Sequence, residues 1–219
     1  MKRVEELLID NLKICQDDEL YCFTSDSILL SKFAKAKKND VVADFCAGSG
    51  IVGFHFFALN KNVVKKVILF EMQKELYDLS NESIKINSLE NIFTAQNIRI
   101  QDIPKEYAGA FSLVLCNPPY YKDERKDDGY DKIKACRNEL TINLEEIVST
   151  ANRVLKFGGR FCVAHIPDRL PELFGVLTKY KLEPKKLTLV TGGEKVYLVL
   201  VEAVKGGKAG LKIETIKNS

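Results

Sequence analysis

Residues 41–50 read VVADFCAGSG, and this stretch decides the fold. Val41 to Phe45 is a short apolar, β-favouring run that stops at a small-residue turn, Cys46-Ala47-Gly48-Ser49-Gly50. The apolar IVGFHFFAL follows at once and predicts a helix over 50–59. The same unit recurs outward. VKKVILF (64–70), FSLVLC (111–116) and RFCVAHI (160–166) read as strands. QKELYDLSNESIKINSLE (73–90) and NLEEIVSTANRVLK (143–156) have helical spacing, and the second ends at Gly158-Gly159. Strand–helix–strand alternation predicts an α/β class, a mostly parallel sheet covered by helices on both sides. KLTLV (186–190) and VYLVLVEAV (196–204) flank TGGEK and predict an antiparallel hairpin appended at the carboxyl end. The tail from 205 to 219 is polar and reads as frayed.

At 219 residues, with no repeat, Pro/Ser linker or composition break, the chain reads as one domain over 1–219. Hydrophobic residues at 46% and charged residues at 29% exclude a disordered chain. A net charge of +3 excludes a strongly basic tail-like binder but leaves room for a locally basic face. Six scattered cysteines with no CxxC pair, and only two histidines, argue against a zinc site, so no metal is expected. Several cysteines lie in apolar runs, as reduced core thiols do in a cytoplasmic protein. The start MKRVEELLIDNLKI is neither a signal peptide nor a membrane span, and no membrane partner is expected. The polar segment 121–139 is too long for a tight connection, and loops of that kind are disordered, functional or both.

The glycine turn has a chemical reading beside its structural one. Gly48 and Gly50 let the chain turn sharply and let a ligand approach the backbone, with the next helix's amides pointing at it. By themselves they would be no more than a tight strand–helix turn. Asp44 closes the first strand, however, and Glu71 closes the next, where an acid can take both hydroxyls of a ribose. Together they specify an adenosine-type cofactor. Gly53 completes a GxGxxG spacing, so a nicotinamide dinucleotide is not excluded by glycines alone. The chain lacks a second nucleotide-binding half, though, and an Asp before the loop suits a cationic ligand better than a pyrophosphate. S-adenosylmethionine, with a sulfonium, an ammonium and no phosphate, fits better.

In FSLVLCNPPYY a strand runs straight into Asn117-Pro118-Pro119-Tyr120. Two prolines fix the backbone and remove two amide donors. The Asn117 side-chain oxygen and the Pro118 carbonyl are left as rigid acceptors, and Tyr120 adds a flat ring. These groups suit a planar amino group on a heterocycle: two acceptors take its hydrogens while the ring stacks. Positioning and electrostatics would then supply the catalysis, because a sulfonium methyl is already activated. Alone, the segment would be a Pro-Pro loop after a core strand. Downstream of an adenosine loop it carries chemistry.

DFCAGSG, Glu71 and NPPY in this order resemble class I S-adenosylmethionine-dependent amino-methyltransferases acting on adenine N6, cytosine N4 or glutamine N5. More narrowly, the chain resembles the bacterial tRNA1(Val) adenine-37 N6-methyltransferase family. The segments that carry this are LKICQDDELYCFTSDSILLSKFA, CNPPYYK, CRNELTINLEEI, VLKFGGRFCVAHIPDRL, YKLEPKKLTLV and LVLVEAVKGGKAGLKI. The resemblance implies a Rossmann-like methyltransferase sheet, S-adenosylmethionine as donor with S-adenosylhomocysteine as product, and tRNA as partner. It implies an entry block within 1–30 that closes over the donor, with Thr24 and Asp26 as contacts. Asp44, Cys46, Ala47, Gly48 and Gly50 would line its methionine and adenosine, Glu71 and Met72 its ribose and adenine edge, and Asn97 or Asp102 the adenine. Asn117, at the donor and the target alike, would act with Pro118, Pro119 and Tyr120 on the amino group. Cys46 stands where the usual loop has its first glycine, and Asn138 where Arg-His-Glu is common after NPPY.

His55 reads as a packed core histidine, and His165, at a strand end, as structural. Of the basic clusters, Lys122, Arg125, Lys126, Lys132, Lys134 and Arg137 after the catalytic turn, and Lys205 and Lys208 in the tail, are the candidates for RNA phosphates. An anticodon-loop base is single-stranded and can be splayed out cheaply. The rival readings are the same chemistry on ribosomal RNA, DNA or a protein glutamine, and a non-catalytic RNA-binding module of the same fold. The oligomeric state is left open by the sequence.

Overall fold

The structure, a computed structural model, describes residues 1–7, 9–20, 24–120 and 142–218. A two-stranded hairpin, β1 (Lys2–Glu6) and β2 (Lys13–Asp17), precedes helix α1 (Ser25–Phe33). Strands β3 (Asp40–Phe45), β4 (Val64–Glu71) and β5 (Phe93–Asn97) alternate with helices α2 (Ile51–Leu59) and α3 (Lys74–Ile86). Strand β6 (Phe111–Cys116) is followed, beyond the segment not described, by α4 (Leu144–Val154), β7 (Leu155–His165) and α5 (Leu170–Lys179). Strands β8 (Leu182–Gly192), β9 (Lys195–Lys205) and β10 (Lys212–Lys217) complete the chain. The eight-stranded sheet has the order β10-β8-β9-β7-β6-β3-β4-β5. Only the β7–β9 and β8–β9 pairs are antiparallel. This is the expected α/β class with its mostly parallel sheet and antiparallel carboxyl-terminal pair.

All six residues of β6, and all of β3 except Val41, are buried. Strands covered on both faces read as continuous apolar runs for this reason. Successive side chains serve opposite faces. Val42, Val67, Leu69 and Leu113 pack with α1 and α2, while Ala43, Ile68, Phe70 and Val114 pack with α4 and α5. Helix α2 is buried over seven of its nine residues. Gly53 lets it sit that close: a Cβ there would lie 2.8 Å from Leu69 Cδ2 and 3.1 Å from Asp44 Oδ2. The third glycine of the GxGxxG spacing is therefore a helix–sheet contact.

Two expectations are corrected. The helix expected over 143–156 opens on a capping box, with the Glu146 amide donating to Asn143 Oδ1 at 2.9 Å and the Asn143 amide to Glu146 Oε2 at 3.0 Å. It ends at Val154, not at the glycines, and passes directly into β7. Gly158, at φ +74°, lies where the β6–β7 register shifts. The tail is not frayed throughout: Lys212–Lys217 pair in parallel with Lys186–Thr191 of β8. The charge alternation that looked like solvated tail is that of an exposed edge strand, with Lys186 Nζ 2.6 Å from Glu214 Oε1. The amino-terminal block also begins as a hairpin that sequence periodicity did not show. It is moored on α3, where Ser83 Oγ accepts from the Cys15 amide at 2.8 Å and Asn87 Oδ1 from the Lys13 amide at 2.9 Å.

At the amino end of the sheet Asp40 and Arg160 are 2% and 3% exposed and form a 2.6 Å ion pair. Asp40 also accepts from the Lys37 amide at 2.6 Å and from Ser112 Oγ at 2.7 Å, and Arg160 Nη1 donates to the Lys35 carbonyl. One network thus joins β3, β6, β7 and the α1–β3 connection. A buried charge left without its partner costs ~3–5 kcal/mol. Asp40→Ala is expected to lower unfolding free energy by about that amount in urea titration, and Asp40→Leu with Arg160→Met to cost less. A loss under about 1 kcal/mol in Asp40→Ala would remove the network from its structural role.

Candidate active site

Parallel pairing sets the site. In register, Phe45 opposes Phe70 of β4 and Cys116 of β6, so the turns after β3, β4 and β6 emerge side by side at one edge of the sheet. Cys46, Gly48 and Gly50 have φ of +54°, +58° and +90°, so the turn after β3 is built from left-handed residues. Cys46 holds without glycine a conformation that costs an L-residue about 1–2 kcal/mol. The turn is pinned by the Ala47 amide on the Phe70 carbonyl at 3.1 Å and the Gly50 amide on the Ala47 carbonyl at 2.8 Å.

Glu71 joins two of the turns. Its carboxylate accepts from the Gly48 amide at Oε2 and from the Gln73 amide at Oε1, both at 2.8 Å. Burial raises its pKa, against those same amide donors. Asn97, opposite Glu71 in β5, donates to the carbonyls of Glu71 and Met72, both at 2.9 Å.

Beyond β6, Pro118 and Pro119 are buried, and Asn117 and Tyr120 are half-buried. The Asn117 amide is oriented by α1: Nδ2 donates to Ser27 Oγ at 3.0 Å, and Oδ1 accepts from the Tyr120 hydroxyl. That hydroxyl also lies within reach of Asp26, whose pKa is raised chiefly by burial. The NPPY turn therefore presents an acceptor oxygen at present covered by its own tyrosine.

These groups surround a cavity of about 260 Å³. Its wall contains Thr24, Asp26, Cys46, Ala47, Gly48, Glu71, Met72, Asn117, Pro118, Pro119 and Tyr120. The structure sets Asp44, Gly50 and Asn97 behind that wall, and Asp102 lies off it in the 3₁₀ turn Ile100–Asp102. The wall after β5 is made instead by Ile98, Arg99, Ile100 and Gln101, one step along from the acid or amide sought in the sequence. Ser27 and Ile142 also line it. A serine one turn into a helix and an isolated isoleucine carry no sequence signal of their own. With Asp26 and Glu71 on the wall and Arg99 its only cation among the described residues, the cavity suits a cationic, adenosine-bearing ligand better than a pyrophosphate.

The phosphate candidates divide. Lys122, Arg125, Lys126, Lys132, Lys134 and Arg137 lie outside the described residues. Lys205 is spent internally, its Nζ donating to the carbonyls of Asn152 and Leu155 at 2.6 and 2.8 Å, at the end of α4. Val199 is level with His165, and β9 descends from there to Lys205, a run of ~20 Å at ~3.3 Å per residue away from the NPPY edge. Lys208, in the turn beyond, lies at that far edge as well. These two lysines are not beside the NPPY turn. No helix among the described residues is long and apolar enough to cross a membrane.

Asp44 is fully buried, accepts from the Gly53 amide at 2.8 Å through Oδ2, and among the described residues leaves Oδ1 without a partner. Burial, helped by the nearby Glu71 charge, pushes its pKa up to about 8. The folded chain thus holds a proton that the unfolded chain releases above pH ~4. This contribution is complete below pH ~4 and is lost as pH rises toward about 8. Asp44→Asn removes it, so denaturant titration between about pH 5 and pH 8 should show a shallower fall in stability, by up to ~1.4 kcal/mol per pH unit. Equal slopes in both proteins would refute the assignment.

The curated relatives share one class of chemistry, methyl transfer. A tRNA1(Val) (adenine(37)-N6)-methyltransferase of Flavobacterium psychrophilum is 22% identical over 179 residues, 81% of this chain and 75% of that protein. A release factor glutamine methyltransferase of Mycoplasma mycoides is 31% identical over 103 residues, 47% of this chain and 35% of that one. Among solved structures, an Agrobacterium tumefaciens protein described as a predicted O-methyltransferase superposes with a TM-score of 0.68 at 20% identity, over 87% of this chain and 85% of that one, a likeness of fold alone. The family model for the methyltransferase small domain matches residues 23–175, from the entry to α1 through most of α5, and the chain belongs to that family.

Proposed function

We propose that the chain methylates the N6 amino group of an adenine in a tRNA anticodon loop, with position 37 of a valine tRNA as the target. S-adenosylmethionine is the methyl donor. The observation that carries the reading is the Asn117 amide, held by Ser27 so that its oxygen, not its nitrogen, is offered at the cavity beside a proline-fixed turn and a tyrosine ring. The similarity to adenine-37 N6-methyltransferases over most of the chain supports the substrate. Similarity to a glutamine methyltransferase supports a second reading, a protein glutamine amide. The longer match favours the first, 81% of this chain against 47% for the glutamine enzyme.

When bound, the donor supplies an electrophilic methyl group on a positively charged sulfur. The residues of the chain position the acceptor. Asn117 Oδ1 takes one hydrogen of the target amino group once the Tyr120 hydroxyl has moved off it, and the Pro118 carbonyl takes the other. Held so, the nitrogen is drawn toward pyramidal geometry with its lone pair localised for attack. Its proton leaves to solvent after transfer, so no strong base is needed in the wall. Glu71 holds the ribose with the lone pairs that the Gly48 and Gln73 amides leave over.

Labelled methyl transfer to total tRNA, ribosomal RNA, DNA and a glutamine-bearing release factor, followed by digestion to nucleosides, tests the substrate. N6-methyladenosine from tRNA is expected, and label only on protein would replace this reading with the second. Glu71→Ala should weaken donor binding by about 1.5–3 kcal/mol in calorimetry, and unchanged affinity would sink the ribose assignment. Asn117→Ala should leave donor affinity nearly intact and slow methylation about a hundredfold, as loss of one preorganised transition-state partner does. Near-normal turnover at saturating tRNA would remove the mechanism.

A further inference from the structure

Tyr120 is the point where the rigid Pro-Pro turn gives way to the long segment beyond it, and two residues from a different part of the chain meet it there. Arg169 closes the 3₁₀ turn Pro167–Arg169 that follows β7 and is 8% exposed. Its guanidinium is gripped by Glu172, Nε to Oε2 at 3.0 Å and Nη2 to Oε1 at 2.8 Å, and its remaining arm, Nη1, donates to the Tyr120 carbonyl at 3.3 Å. A planar fork fixed at two nitrogens has little freedom left at the third. His165 is fully buried, with its ring centroid 5.4 Å from that of Tyr120 at an interplanar angle of 49°. Its Nδ1 accepts the Ile166 amide at 2.9 Å, which leaves the proton on Nε2, and among the described residues that N–H has no acceptor. Burial and the Arg169 charge push its pKa down to about 4, so it stays neutral beside the cation. A buried N–H without an acceptor is costly for the fold.

We propose that Arg169 is a positioning residue for Tyr120, fixing its backbone carbonyl from the β7–α5 turn while His165 forms the wall behind its ring. The position of the stacking ring, and through it the register of the target base over the donor methyl, is then set from outside the NPPY motif. This rests on the reading of Tyr120 as the base-stacking residue. Arg169 is not among the residues lining the cavity.

The test uses the full chain carrying 3-fluorotyrosine. With eight tyrosines and no tryptophan, the Tyr120 fluorine resonance is assigned by its loss in Tyr120→Phe. In Arg169→Gln, and in Arg169→Lys, which keeps the charge but not the fork and guards against misfolding, that resonance should shift and broaden. Donor affinity should stay within about twofold, because the Glu71 side of the cavity is untouched. Methylation at saturating RNA should fall about tenfold or more, as misplacement of a reacting group does. Tyr120→Ala combined with Arg169→Gln should be no slower than Tyr120→Ala alone, since the arginine acts only through the tyrosine. An unchanged Tyr120 resonance in both arginine variants, or losses that multiply in the double variant, would overturn the proposal. A wild-type chain that methylates no RNA would overturn the proposed function instead, and the fluorine spectra would still decide whether Arg169 holds Tyr120.

Discussion

The parallel pairing of β3 with β4 on one side and β6 on the other is the constraint on which the site depends. It makes the turns after three sequence-distant strands neighbours without any of them reaching far. Once Phe45 is level with Phe70 and Cys116, Glu71 lies within a hydrogen bond of the Gly48 amide, and Asn117 follows directly on the same edge. At the other end of the same strands, the Asp40–Arg160 network locks β3, β6 and β7 together. The register is thus held at the amino end and used at the carboxyl end. A slip by one residue would turn every buried side chain of these strands to the wrong face.

Most of this was legible in the residues because it rests on local pattern. The apolar runs of β3, β4, β6 and β7 have no reading other than buried strands once helices alternate with them. The glycine turn and the NPPY segment announce themselves by composition. What was not legible depends on contacts between segments far apart. The β1–β2 hairpin is a charged run in sequence, and contacts with α3 and its cap give it a place: bonds to Ser83 and Asn87, and Cys15 packed with Leu76 and Leu79. Strand β10 is equally polar and exists because β8 offers an open edge. Lys205 reads in sequence as a candidate for an RNA phosphate. Only the fold shows that its ammonium is held by the last carbonyls of α4.

The acids of the site show the same limit in a chemical form. Asp44 and Glu71 both stand at strand ends, and both were read as donor contacts. The fold separates them. Glu71 reaches the cavity wall and spends one lone pair of each carboxylate oxygen on a backbone amide, while Asp44 lies behind the turn and supports the first turn of α2 through the Gly53 amide. Sequence position fixes where a strand ends, but not which face of the turn its last acid supplies. Asn97 likewise braces the carbonyls of Glu71 and Met72, and the neighbouring residues form the wall.

The covered Asn117 oxygen follows from the same economy of buried polar groups. A rigid acceptor left bare beside an apolar cavity would forfeit its hydrogen bond whenever no substrate is present. The Tyr120 hydroxyl fills that role and keeps the amide oriented, with Ser27 satisfying the other end. On the proposed function an incoming amino group exchanges one hydrogen bond for another, and the displaced phenol has Asp26 within reach. On the proposed function Tyr120 serves twice, closing the acceptor until the amino group arrives and stacking on the base thereafter. The second role requires its ring and backbone to stay in place while its hydroxyl changes partner. A backbone carbonyl held by a clamped arginine and a ring backed by a buried imidazole meet that requirement, because neither contact involves the hydroxyl.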